Sequence, residues 1–373
     1  MNRLVVSPLP WINLYTWTRL TYIHTPHLIP SLYNPYTLHY AAPSTPLLTR
    51  SSRPSKLPLS RSAPSTPEFI IRHHARTDRA LETPHIAASE TIHDRPFTHS
   101  EHTAPGLGPN DPPIALSIFT PNKATVTGNQ QRPCILYAHG GGLIFLHRLV
   151  GLSQPLDWAV ATGAVLVSIE YRRAPEHPQP AASEDCFAAL RWVQTSADAL
   201  SIDAARILVA GQSAGSGLAA GLALRARDAG LETPVHAQML PCPMLDDSCE
   251  SVSCVQFDGG VEPWDRTKNA AAWGIALGRP AGAGAGVVSA YWAPARTETH
   301  VGLPPAYIEA GSAEFCRDEA VEYASRLWAA GVSADLHVWA GGFHGFDEMA
   351  PDSWLGRRAI AAKLEWVRRV LME

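Results

Sequence analysis

The sequence has no apolar run near the roughly 18 residues that a membrane-spanning helix needs, which speaks against stable membrane insertion. Its six cysteines (Cys134, Cys186, Cys242, Cys249, Cys254 and Cys316) show no Cys-x-x-Cys or Cys/His spacing. No metal site is therefore expected, and several of them sit in apolar runs that suit a reduced, buried thiol. Charged residues make up only 17 % of the 373, with a net charge of −4, so there is no basic field to draw in nucleic acid.

Acid is missing altogether from residues 1–67, which carry six basic residues and 11 of the 32 prolines. Proline at that density breaks the amphipathic helix of an organelle transit peptide, and the compact apolar core of a secretory signal is also lacking. The composition predicts a disordered or poorly structured extension whose removal leaves activity little changed. A cytoplasmic location follows, with organelle targeting by residues 1–67 as the alternative.

What the chain does have, from about residue 112, is alternation. "IALSIF" (114–119), "CILYAH" (134–139), "VLVSIEY" (165–171), "RILVAG" (206–211), "HAQMLPC" (236–242), "AYIEAG" (306–311) and "DLHVWA" (335–340) read as strands. Most are continuously apolar, as parallel strands covered on both faces must be. Helical spacing lies between them: Cys186, Leu190 and Val193; Ala320, Ala324 and Leu327; Ile360, Leu364 and Val367. This predicts an α/β domain over 68–373, a mostly parallel sheet with helices on both faces. Residues 244–303 offer no clean strand; together with about 68–110 they are the expected cap.

Two glycine motifs bear on chemistry. Gly211-Gln212-Ser213-Ala214-Gly215 joins an apolar strand to a small-residue helix, the setting in which G-x-S-x-G exposes a serine hydroxyl on a tight turn. Taken alone, it could be merely a tight turn. Seventy-four residues before Ser213, His139-Gly140-Gly141-Gly142 follows another strand. Its unshielded N–H groups could face a developing oxyanion, and the expected donors are Gly141, Gly142 and Ala214. His139 falls too early in the strand order to act as a base, and its expected work is to fix the glycine loop. Among the 16 histidines, His344 in "WAGGFHGF" lies on the loop after the last predicted strand, whereas His147, His177, His236 and His337 favour structural readings.

From about residue 110 onward the chain resembles the hormone-sensitive-lipase-like carboxylesterases of the α/β-hydrolase fold. The resemblance rests on "HGGG", "EYRRAPEHPQPAASEDC", "GQSAG", "AEFCRDEA" and "GGFHGF", in that order, with "CPMLDD…QFDGGVEPWDR" resembling a cap-linked region. It implies a serine esterase acting on short- to medium-chain acyl esters, with a small-molecule ester as substrate, no cofactor and no metal; a homodimer is compatible with it. An amidase, lactonase or acyltransferase would use the same residues, and a non-catalytic ligand receptor is the reading from another class. The resemblance also implies that Tyr171 and Glu176, with His139 and Gly140, brace the oxyanion and nucleophile loops. Two departures stand out: Gln212 precedes the serine where the family usually has Asp, Ser or Thr, and Glu314 stands where many members have Asp.

Four carboxylates crowd "EAGSAEFCRDE". Glu309 lies in the strand, and Asp318 and Glu319 suit a helix start, where the dipole favours them. Glu314, in the loop between, aligns with the family's acid. Ser213, Glu314 and His344 are thus the expected triad, with Asp318 and the Asp246–Asp247 pair as competitors for the acid.

Overall fold

Alternation along each strand sets the architecture. In β3 (Arg132–Ala138), Cys134, Leu136 and Ala138 enter one apolar cluster while Ile135 and Tyr137 enter another. In β5 (Ile202–Gly211), Ile207 and Val209 alternate likewise with Leu208 and Ala210. A strand whose two faces are both apolar must be covered on both sides. The computed structural model describes residues 91–92, 95–122, 131–259, 263–282 and 288–373. The expectations for 1–67 and for the first part of the 68–110 cap fall outside these residues.

The strands, with β1 (Phe97–Ala104), β2 (Ile114–Pro121), β4 (Val165–Ile169), β6 (Ala237–Pro241), β7 (Ala306–Gly311) and β8 (Ala334–Trp339), form one sheet in the order β1-β2-β4-β3-β5-β6-β7-β8. β2 runs antiparallel to both of its neighbours, and the remaining pairings are parallel. The α/β-hydrolase fold expected from the motifs is the one observed. One face carries α1 (Ser153–Thr162) and α9 (Trp354–Met372), through Leu156, Trp158, Trp366 and Val367. The other carries α2 (Ala181–Thr195), α4 (Ala214–Asp228) and α7 (Arg317–Ala329), through residues such as Leu190, Leu218 and Leu327; the short α3 (Ala197–Leu200) follows α2.

Two expectations need correction. Residues 97–104, expected in a cap, form the edge strand β1, paired with β2 from Phe97↔Pro121 to Ala104↔Ile114. Its sequence, FTHSEHTA, buries only its two ends, so no apolar run announced it. In α9 the buried stripe is Gly356, Ala359, Lys363, Trp366, Val367 and Leu371. Ile360 and Leu364 are only half-buried. A lysine at the centre of that stripe hid it from a hydrophobicity reading.

Between β6 and β7 the chain forms α5 (Val252–Gln256), α6 (Arg266–Leu277) and a 3-10 turn at Pro294–Arg296, with no strand among its described residues. The last short helix, α8 (Phe346–Met349), separates β8 from α9. All six cysteines are buried and unbridged. No helix among the described residues is long and apolar enough to cross a membrane.

Candidate active site

β5 ends at Gly211 and α4 starts at Ala214, leaving two residues to reverse the chain. Ser213 takes φ 53° and ψ −116°, a conformation that costs a non-glycine residue on the order of 1–3 kcal/mol. Close packing imposes it. A Cβ on Gly211 would stand 2.1 Å from the Gly215 carbonyl carbon, and one on Gly215 would stand 2.0 Å from Ala138 O at the end of β3. Both flanking glycines are therefore required by contact distance. Ser213 N–H donates to Pro241 O, and Met244 N–H donates to Ser213 O, pinning the turn to the exit of β6.

His344 comes from the turn after β8. Its Nε2 lies 3.0 Å from Ser213 Oγ, and its Nδ1 lies 2.6 Å from Glu314 Oε2. Because a carboxylate accepts, Nδ1 carries the proton, and Nε2 is left as the acceptor facing the serine hydroxyl. Glu314 is fully buried. Its Oε1 accepts the Gly311 N–H, and its Oε2 also accepts the Cys316 thiol at 2.8 Å. Phe315 packs against the imidazole, with ring centroids 5.1 Å apart. Three groups from the ends of three strands thus form one hydrogen-bonded line.

The competitors for the acid are occupied elsewhere. Asp318 accepts from Arg317 Nε at 2.7 Å and from Ser253 N–H at 2.7 Å. Asp247 is buried against Arg296, with Arg296 Nη2 donating to Oδ2 at 2.9 Å. Asp246 accepts from the Ser248 N–H and hydroxyl. Glu309 is held by Lys363. Glu319 does more than meet a helix dipole: buried in α7, it accepts the N–H groups of Leu245 and Asp246 at 3.2 and 2.6 Å.

The glycine loop lies against the serine turn. A Cβ on Gly140 would stand 3.7 Å from Ser213 Cβ. Gly141 and Gly142 adopt φ 102° and 63°, and a Cβ on either would strike Phe145 O or the Trp264 ring. Among the described residues, the N–H groups of Gly141, Gly142 and Ala214 donate to no protein acceptor. His139 is fully buried and stacks on Tyr171, with ring centroids 4.1 Å apart and planes inclined at 12°. Its Nδ1–H donates to Gly140 O at 2.8 Å, while the Tyr171 hydroxyl donates to His139 O at 2.8 Å. Burial depresses the His139 pKa to about 3, so the ring is neutral and acts as a strut.

Glu176 is exposed in the turn after Tyr171. A buried carboxylate that braces this loop, and that the motifs did not point to, is Asp185. It is 1 % exposed and takes Arg172 through its backbone N–H (2.8 Å), Nε (2.9 Å) and Nη2 (2.7 Å). The signal was available in the i, i+13 pairing of Arg172 with an acid on the following helix, but only sheet packing selects that partner. Two other histidines are held in the structure by packing and hydrogen bonding: His236 Nε2 meets Val370 O at 2.8 Å, and His337 stacks between Tyr307 and Trp339. Trp264, from the β6–β7 segment, lies beside Gly142 and makes an edge contact with Phe145 at 6.4 Å.

Cys242, Glu314 and His344 offer ligand atoms within 4.8 Å of one another. At 2.6 Å, however, His344 Nδ1–H donates directly to Glu314 and leaves no room for an ion between them. The set is built for hydrogen bonding.

Known proteins resemble this chain over most of the α/β domain. A family model described as the alpha/beta hydrolase fold matches residues 135–348. Esterase LipI of Mycobacterium tuberculosis is 36 % identical over 242 residues, which is 63 % of this chain and 71 % of that protein. Carboxylesterase NlhH of the same species is 37 % identical over 227 residues, 58 % of this chain and 67 % of the other. Among solved structures, a bacterial heroin esterase superposes with a TM-score of 0.73 at 36 % identity, covering 83 % of this chain and 94 % of its own. Esterase LipW from Mycobacterium marinum gives 0.69 at 31 % identity, covering 81 % and 90 %. The chain belongs to the hormone-sensitive-lipase-like carboxylesterase family of the α/β-hydrolase fold.

Proposed function

We propose that the protein is a serine carboxylesterase that hydrolyses short- to medium-chain acyl esters of small molecules through an acyl-enzyme on Ser213. One observation carries this reading: the Ser213 Oγ–His344 Nε2 contact of 3.0 Å, continued on the far side of the ring by Glu314 at 2.6 Å. His344 takes the Ser213 proton as Oγ attacks the ester carbonyl. The carbonyl oxygen becomes an oxyanion, held by the N–H groups of Gly141, Gly142 and Ala214; the loss of one such donor typically costs on the order of 10²–10³ in rate. His344 then protonates the leaving alkoxide, and the alcohol departs. Water, deprotonated by the same imidazole, attacks the acyl-enzyme; the bond to Ser213 Oγ breaks, His344 returns the proton to that oxygen, and the acid is released. Glu314 holds the imidazole tautomer and stabilises the imidazolium without taking its proton.

The segment between β6 and β7 is read as the cap over this centre. Trp264 supports that reading because it reaches Gly142, one of the proposed oxyanion donors. A cap this close to the oxyanion would set the size of acyl group admitted.

The test compares wild type with Ser213→Ala on a p-nitrophenyl ester series from acetate to decanoate. Ser213→Ala is expected to lose at least 10³-fold in kcat and all labelling by a fluorophosphonate probe, with activity greatest on the shorter esters. Equal rates in the two proteins would remove the assignment.

A further inference from the structure

Lys363 stands in the middle of α9, the last helix, and is 1 % exposed. Its Nζ donates to Glu309 Oε1 in β7 and, at 2.7 Å, to Asp347 Oδ2 in α8. Both carboxylates are buried and carry further donors. Glu309 Oε2 accepts from the Tyr307 hydroxyl and Trp339 Nε1, each at 2.9 Å. Asp347 Oδ2 accepts from Gln154 Nε2 in α1 at 2.8 Å. Burial opposes the lysine's charge, yet the Asp347 and Glu309 carboxylates outweigh it and hold its pKa above the ordinary lysine range. The lysine is therefore charged in the core.

Stability alone is a poor account of such a cluster. Buried ion pairs seldom outperform well-packed apolar groups of the same volume, because each charge loses its hydration. What distinguishes this cluster is what it joins. Glu309 lies two residues before Gly311, whose N–H binds Glu314. Asp347 lies three residues after His344, in the one-turn helix that closes the histidine loop. The loop itself is a string of tight turns, in which Phe346 N–H donates to Phe343 O, Glu348 N–H donates to Gly345 O and Gly345 sits at φ 72°. Before His344 it is tied to the segment after β7 by Ala313 N–H to Gly342 O and Gly341 N–H to Ser312 Oγ, and after His344 the Lys363–Asp347 contact holds it. One ammonium group thus grips both the strand that delivers the acid and the turn that delivers the base.

We propose that Lys363 is a positioning residue: by clamping Glu309 to Asp347 it keeps His344 within reach of Ser213 and Glu314 together. The proposal rests on the triad reading above. It acts through geometry, since Lys363 contacts none of the three triad side chains in the structure's hydrogen bonds. A displacement of about 1 Å in a reacting group can cost on the order of 10²-fold in rate, so a loosened loop should be visible in turnover.

The experiment measures kcat, KM and melting temperature for wild type, Lys363→Met, and the triple variant Glu309→Gln/Asp347→Asn/Lys363→Met, using p-nitrophenyl butyrate. Lys363→Met leaves two buried carboxylates unpaired, and is expected to lower the melting temperature and reduce kcat at least tenfold, with KM within twofold. The triple variant keeps the shapes and removes the charges. Its melting temperature should recover while kcat stays at least tenfold down, because the ammonium that ties strand to turn is still absent. A kcat within twofold of wild type for either folded variant would overturn the positioning role. So would a kcat that recovers in step with melting temperature. Ser213→Ala in the same assay separates the two levels: if it is as active as wild type, the esterase reading fails first, whatever Lys363 does.

Discussion

At the residue scale, Glu314 offers two oxygens that do different work. Oε1 is tied to the backbone at Gly311, which fixes the carboxylate; Oε2 receives both the His344 ring and the Cys316 thiol. Glu314→Gln keeps the shape and loses the charge that stabilises an imidazolium. We expect kcat to fall by on the order of 10²–10⁴, with an unchanged melting temperature. Asp318→Asn, whose carboxylate serves Arg317 and Ser253, should leave kcat within about twofold; the reverse outcome would place the acid at Asp318. Cys316 gives a subtler test, because its S–H donates to the same oxygen as the imidazole. Cys316→Ala removes a hydrogen bond to a charged acceptor and should slow kcat by roughly three- to tenfold, whereas Cys316→Ser keeps a donor and should stay closer to wild type. Equal rates for the two variants would show that the thiol merely fills space. In the sequence Cys316 is one of six cysteines without a spacing pattern, and nothing in the chain indicates that its sulfur turns toward the acid.

At the scale of elements, the carboxylates at the start of α7 show how packing replaces a local explanation. A helix N-terminus accounts for Asp318 and Glu319 in energetic terms of a few tenths of a kcal/mol up to about 1. In the fold, Glu319 satisfies two backbone N–H groups where β6 leads into the proposed cap, and Asp318 meets Ser253 N–H in the first turn of α5. Burial pushes the Glu319 pKa well above the usual carboxylate range. A raised folded pKa means that its stabilising contribution is present at low pH and is lost as pH rises through that folded value. Glu319→Gln, which stays neutral and can still accept, should therefore melt near wild type in acid and above it in alkali. Glu319→Ala strands two donors and should cost about 1–3 kcal/mol at each pH, read by chemical denaturation. A wild type and Glu319→Gln with parallel pH profiles would show that Glu319 does not titrate in the fold. Most of the seven strands read from the sequence were legible because a strand inside the sheet is covered on both faces and so is apolar throughout; β1 was not, because an edge strand can form with polar side chains and only backbone pairing.

At the scale of the whole molecule, acid should unfold the protein in part through His139. The ring is neutral in the core, with a pKa near 3, and would ionise with an ordinary value once exposed. A lowered folded pKa in a histidine makes the neutral form the stabilised one, so its contribution is whole above about 6.5 and shrinks as pH falls toward 3. Within that window this single group contributes a slope of up to about 1.4 kcal/mol per pH unit. In His139→Asn the loss of stability between pH 7 and pH 5 should be smaller than in wild type, as measured by urea denaturation. An unchanged loss would mean that the ring is not the group that takes up the proton.

Order and local chemistry were in the sequence. Continuous apolar runs separated by helical spacing specify a parallel sheet with helices on both sides, and glycines two residues before and after Ser213 specify a turn too tight for any Cβ. Those signals survive in one dimension because each depends on side-chain volume and on neighbours a few residues away. Partnerships across the chain were decided by the tertiary structure. The sheet order brings Ser213 to His344 across 131 residues, turns Asp185 under Arg172, and buries Lys363 between Glu309 and Asp347. A charge repays its lost hydration only by meeting a partner in space, and which partner it meets is set by how the strands and helices pack.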